Sequence, residues 1–153
     1  MRSITYGNVD FDKMFEIIKN FVGKSPKETY HISVGTDSQN FDLTKVVMVV
    51  SVHRMGHGGI FFYDIKRVKK LSDIHQKLFY ETSISLELAM KLSKKFEDEN
   101  FNYGIGIHVD AGERGPTSSI IPEITKWVRS CGFECKTKPD SYAASTIADR
   151  YSK

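Results

Sequence analysis

The sequence predicts an α/β fold: a five-stranded mixed sheet of order 3-2-1-4-5, strand 2 antiparallel, with helices on both faces and an extra N-terminal helix. Two observations carry this. Three apolar stretches, at about His31–Asp37, Lys45–Arg54 and Ile60–Val68, follow one another across short turns, the pattern of an antiparallel meander. Beyond them helical and extended patterns alternate, which requires crossover connections and parallel neighbours.

Each element has a local reason. Asp10 is placed to cap a helix running to about Phe21, with Met14, Ile17, Ile18 and Phe21 on its apolar side and Gly23 stopping it. The first strand follows. The second carries Val46-Val47-Met48-Val49-Val50 and reads as buried, and the Met55-Gly56-His57-Gly58-Gly59 turn leads into the alternating third. Ser72 is expected to cap a long helix reaching about Glu99, and Gly104–Asp110 is the fourth strand. A further helix runs from near Ser119 to Cys131, starting late because Pro122 is tolerated only in a first turn. Gly132 ends it, Phe133–Thr137 is the fifth strand, and Ala143–Tyr151 reads as a terminal helix with Ser141 as its cap. Right-handed crossover sets the fourth strand parallel to the first and beside it.

The length suits a single domain over residues 1–153, with 1–29 as an N-terminal helical extension. A hydrophobic content of 40% and a charged content of 27% describe an ordinary water-soluble chain. No apolar run approaches the roughly 20 residues that span a bilayer. The start, Met1-Arg2-Ser3-Ile4-Thr5-Tyr6, lacks the pattern of a secretory leader, so no membrane partner and a cytoplasmic location are expected. A net charge of +3 is compatible with a nucleic-acid partner without requiring one. Cys131 and Cys135 make no disulfide framework. A zinc set with His53 and His57 is disfavoured by its loose spacing, so reduced, mostly buried thiols are expected.

Function is signalled by acids. Two apolar stretches each end on an aspartate among small residues: Ile32-Ser33-Val34-Gly35-Thr36-Asp37-Ser38 and Ile105-Gly106-Ile107-His108-Val109-Asp110-Ala111-Gly112. Adjacent parallel strands would bring Asp37 and Asp110 to one edge of the sheet, where α/β folds hold ligands. Glu81 interrupts the apolar stripe Leu71, Ile74, Leu78, Ser85, Leu88, Leu92, Phe96 of the long helix, so it faces the core and needs a partner. Glu87 falls on a flank with Tyr80, Ile84 and Lys91 and reads as surface. The last helix region offers Asp149 and Asp140. Clustered carboxylates need a cation or a proton between them, and hard oxygen donors select Mg²⁺ or Mn²⁺.

These elements resemble the ribonuclease H-like superfamily. The motifs Val34-Gly35-Thr36-Asp37-Ser38-Gln39, His108-Val109-Asp110-Ala111-Gly112 and Lys138-Pro139-Asp140-Ser141-Tyr142-Ala143-Ala144-Ser145 are similar to its bacterial YkuK-type branch, and the resemblance covers nearly the whole chain after about Tyr30. It implies Asp37, Glu81 and Asp110 as shared metal ligands and catalytic groups, with Asp149 as fourth acid and Asp140 as the alternative. Arg114, in the loop after Asp110, is placed to meet a substrate phosphate, and Glu113 beside it is a weaker metal candidate. Lys66-Arg67-Val68-Lys69-Lys70 is a basic run suited to tracking a nucleic-acid backbone, and His108 shares the strand face of Asp110 as a core histidine. The expected activity is Mg²⁺- or Mn²⁺-dependent hydrolysis of RNA, DNA or a hybrid by a two-metal mechanism. The alternative is a nucleic-acid-binding module that keeps the fold without catalysis. Sugar-kinase-like phosphoryl transfer is disfavoured, because Asp37-Ser38-Gln39-Asn40 supplies no glycine-rich phosphate loop. Neither substrate strandedness nor oligomeric state is legible at this level.

Overall fold

The computed structural model describes residues 1–153. The chain opens on two short strands, β1 (Arg2–Ser3) and β2 (Gly7–Asn8), which no apolar period announced. Helix α1 (Phe11–Gly23) is capped as expected, with the Asp10 carboxylate accepting from the Lys13 N–H at 2.7 Å. It runs through Gly23 rather than stopping before it. The meander follows as β3 (Thr29–Asn40), β4 (Thr44–Arg54) and β5 (Gly59–Val68).

Helix α2 (Ile74–Phe96) begins one residue later than expected. Asp73, not Ser72, is its cap, accepting from the N–H groups of His75 and Gln76 at 2.8 and 3.1 Å; a carboxylate there also complements the helix dipole. Strand β6 (Asn102–His108) ends two residues before Asp110, and a 3₁₀ turn at Ser118–Ile120 leads into α3 (Ile121–Ser130), whose first turn holds Pro122. Gly132, with φ of 91°, reverses the chain into β7 (Glu134–Lys136). The terminal helix is not one regular element: residues Ala143–Ala148 form a π-helical turn before the short α4 (Asp149–Ser152).

The sheet order is β2-β1-β5-β4-β3-β6-β7. Its five long-predicted strands stand in the expected 3-2-1-4-5 arrangement, with β4 antiparallel to β3 and β5, and β6 parallel to both β3 and β7. The strand count is corrected from five to seven, because the β1–β2 hairpin joins the edge through Arg2 opposite Tyr63. Residues 1–29 are thus part of the domain's sheet and core: α1 buries Met14, Phe15, Ile17, Ile18 and Val22 in the larger hydrophobic cluster.

That cluster lies on one face, where α1, α2 and α3 cover Ile32, Val34, Val50, Val52, Phe62 and Ile107. Full burial of such side chains contributes about 1.5–3 kcal/mol each. A smaller cluster on the other face joins Val47 and Val49 to Ala143 and Ala148 of the C-terminal helix. Helices therefore cover both faces. Gly35 makes the second contact possible, since a Cβ there would stand 2.5 Å from the Ala144 nitrogen and 2.7 Å from the Ala143 carbonyl carbon.

Candidate active site

The parallel ladder between β3 and β6 stops at Gly35 opposite His108, while β3 continues to Asn40. Beyond that point the chain after β6 turns away through Val109 and Asp110, and a crevice opens at the carboxyl ends of the two strands. Asp37, Glu81 and Asp110 all line this cleft of about 790 Å³, with Lys77, Arg114 and Lys138 as its cationic members.

Strand alternation assigns each side chain its direction. Asp37 stands in the cross-strand row Asp37–Val47–Ile65, on the face covered by the C-terminal helix. There the Ser152 hydroxyl donates to Asp37 Oδ2 at 3.0 Å. Ser38 points to the opposite face and donates to Glu81 Oε2 at 2.6 Å. One turn along α2, Ser85 Oγ and Thr36 Oγ1 lie 2.7 Å apart. The polar positions of α2 thus meet the polar positions of β3, so the interrupted apolar stripe is satisfied across the interface.

Burial dominates the electrostatics. Asp37 is 6% exposed, and its carboxyl is raised from 3.8 to about 7, first by desolvation and then by the neighbouring Asp110 charge and hydrogen bond. Glu81, equally buried, is raised from 4.5 to about 8, again by desolvation first, with Ser38 pulling the other way. Burial and the neighbouring Asp110 carboxylate thus both favour the neutral form of Asp37. The Lys138 ammonium lies 3.0 Å from Asp110 Oδ1 but off the directions of a hydrogen bond, leaving that shielded oxygen without a donor.

No three His, Cys, Asp or Glu side chains converge closely enough to form a ready cage for an ion. Glu81 is held by the Ser38 hydroxyl, and Asp110 is neighboured by the Lys138 ammonium. The donor chemistry nevertheless fits a hard divalent cation: three carboxylates from three elements, two of them uncomfortable without added positive charge, and one orphaned oxygen.

Asp149 and Asp140 do not line the cleft. Asp149 is half-exposed and paired with Lys153 at 3.2 Å, while its backbone carbonyl accepts from Ser152. Asp140 is exposed, its N–H closing a turn onto the Thr137 carbonyl. Arg114 and Glu113 are exposed on the cleft wall, and Glu87 is on the surface. His108 is a satisfied core histidine. Its Nδ1 accepts from the Ala143 N–H at 3.0 Å, its ring meets Tyr142 edge-on, and desolvation lowers its pKa to about 4. Cys131 and Cys135 are free and half-buried rather than mostly buried.

Sequence reasoning missed Ser38, Ser152, Lys77 and Lys138. Ser38 was within reach of it, because period-two alternation turns the residue after Asp37 toward α2. Ser152 approaches from an element far along the chain and no local pattern marks it, while Lys138 opens a motif whose sequence says nothing of its place against Asp110.

The ribonuclease H-like family model matches residues 13–153. The uncharacterized protein YkuK of Bacillus subtilis (strain 168) is 32% identical over 164 residues, covering 99% of this chain and 95% of the relative. Among solved structures, the N-terminal RNase H domain of rv2228c from Mycobacterium tuberculosis, fused to maltose binding protein, is 10% identical. The match covers 81% of this chain and 94% of that one, with a TM-score of 0.37.

Proposed function

The chain belongs to the ribonuclease H-like family, in its YkuK-type branch, and from that premise we propose that it is a Mg²⁺- or Mn²⁺-dependent nuclease hydrolysing phosphodiester bonds of RNA or DNA. The observation that carries the reading is the cleft. Asp37, Glu81 and Asp110 converge on it from β3, α2 and the end of β6, beside the cations Lys77, Arg114 and Lys138.

In this reading Asp37, Glu81 and Asp110 hold the cation; the fourth acid that the family resemblance implies, Asp149 or Asp140, stands outside the cleft lining. When bound, the metal supplies an activated water and charge stabilisation at the leaving oxygen. The chain's own residues do the rest. Ser152 and Ser38 orient Asp37 and Glu81. Lys77, Arg114 and Lys138 attract the phosphodiester, Arg114 through its fork of donors. Proton and cation compete for the same oxygens, so loading of the site strengthens as pH rises through the raised carboxyl values.

A second reading, a nucleic-acid-binding module without catalysis, is favoured by one observation: Lys138 lies against Asp110 where a cation would otherwise balance it. One experiment separates them. Purified protein is incubated with Mn²⁺ and a panel of single strands, duplexes, hybrids and branched junctions. Cleavage that Asp37→Asn abolishes is the expected result. No metal-dependent product on any substrate, or cleavage that survives Asp37→Asn, refutes the nuclease assignment.

A further inference from the structure

At the carboxyl end of β3, beyond the acids, the sheet carries a second feature. The β3–β4 turn is closed by the Phe41 N–H donating to the Leu43 carbonyl at 2.9 Å, and it leaves Phe41 54% and Leu43 48% exposed. Next to it Gln39, Lys45 and Arg67 stand directly opposite one another across three strands. Being two residues along from the Asp37–Val47–Ile65 row, this row lies on the same face, about 7 Å further along the strands.

Lys45 and Arg67 are an unfavourable pair as they stand. Like charges directly opposed across strands destabilise a sheet, and neither cation makes a salt bridge with any acid of the chain. The one hydrogen bond of the Lys45 ammonium is to the Lys153 backbone oxygen at 3.3 Å, one residue from the Ser152 that binds Asp37. Lys45, Arg67, Phe41 and Leu43 line a hollow of about 350 Å³, with Asp42 at its side. An anion between two opposed cations, next to an exposed aromatic ring, is the chemistry of a nucleotide: phosphate on the charges, base on the ring.

We propose that the β3–β4 tip and the Gln39–Lys45–Arg67 row form a subsite for one unpaired nucleotide of a nucleic-acid strand, its phosphate between Lys45 and Arg67 and its base stacked on Phe41. The proposal deepens the nuclease reading by naming single-stranded nucleic acid as the form engaged, and it rests on that reading for the class of ligand. A paired base keeps its faces inside the duplex stack, so an aromatic ring at a hairpin tip discriminates in favour of unpaired strands.

The test is fluorescence anisotropy of the full chain with short labelled single strands and a blunt duplex of the same sequence, in EDTA so that nothing is cut. Phe41→Ala is expected to weaken single-strand binding about tenfold, to leave duplex binding nearly unchanged, and to be rescued by Phe41→Trp. Lys45→Ala with Arg67→Ala is expected to reduce the salt slope of single-strand binding by about 0.7. Melting temperatures equal to the parent's establish that these exposed changes leave the fold intact. Parent-like single-strand binding in both variants, equal losses on single strand and duplex, or no binding by the parent each overturn the proposal. Cleavage is measured in parallel. Asp37-dependent cutting with Phe41-independent binding removes the subsite alone, whereas Phe41-dependent binding by a protein that cuts nothing removes the nuclease reading and leaves the subsite standing.

Discussion

Replacing Glu81 with glutamine should make the metal-free protein more stable in alkaline solution, although Glu81 is a proposed ligand. Glu81 is 6% exposed, its carboxyl is raised from 4.5 to about 8 by burial, and it accepts from Ser38 at 2.6 Å. A folded-state value above the unfolded one means that the folded protein holds the extra proton between pH 4.5 and about 8. Stability from this group is full below 4.5 and is lost as pH rises through about 8. The whole shift corresponds to about 5 kcal/mol as an upper bound, of which about 2 kcal/mol falls between pH 6.5 and 8. That upper part of the window leaves His108 out, because His108, lowered to about 4, contributes a slope of the opposite sign only below its unfolded value of 6.5.

The assay is urea unfolding in EDTA at pH 6.5 and pH 9, for the parent and for Glu81→Gln. Glutamine keeps the acceptor for Ser38 and cannot ionise. The parent should lose about 2 kcal/mol or more across this interval, and the variant should lose about 2 kcal/mol less. The remaining fall belongs mainly to Asp37, raised to about 7, with a smaller share at the alkaline end from Cys135, whose thiol burial raises. Equal losses in parent and variant would refute the claim that Glu81 is buried and protonated at neutral pH.

Other outcomes follow from the same geometry. Mn²⁺ at a hundredfold excess over its Kd should stabilise the parent at pH 8 by about 2.7 kcal/mol. Thermal melts should show Asp37→Asn losing most of that gain, and an equal gain in both proteins would place the ion elsewhere. Gly35→Ala drives a methyl into the Ala143–Ala144 backbone and should cost about 3 kcal/mol, with amide exchange rising first in the C-terminal helix. His108→Phe keeps the ring but removes the acceptor for the Ala143 N–H, and chemical unfolding should register a loss of about 1–3 kcal/mol.

The fold was largely legible because its long elements advertise themselves locally. The apolar alternation of β4 and β5, the stripe on α2 and the glycine after α3 are one-dimensional patterns, and handed crossover then puts β6 beside β3 without further information. The β1–β2 hairpin was invisible because its two-residue strands carry no period and exist only by pairing with the edge of β5. The helix start at Asp73 was missed for a smaller reason: two adjacent residues can both cap, and a carboxylate reaching two N–H groups prevails over a hydroxyl. The π-helical turn at Ala143–Ala148 had no signature, since its residues also suit an α-helix.

For the cleft the division is sharper. Asp37 and Asp110 as acids brought together just past the last paired residues of two neighbouring strands, and Glu81 as a polar break in an apolar face, are legible in the chain alone, because period and handedness decide where such side chains point; that β3 itself runs on to Asn40 is not. Tertiary structure alone decided what surrounds them. Ser152 reaches Asp37 from 115 residues away, Ser38 holds Glu81, and Lys138 stands against Asp110 while Asp149 turns to Lys153. Packing depth then raises two of the three acids far above their ordinary range, since desolvation depends on how completely distant segments close over a group and no local run of residues encodes that closure.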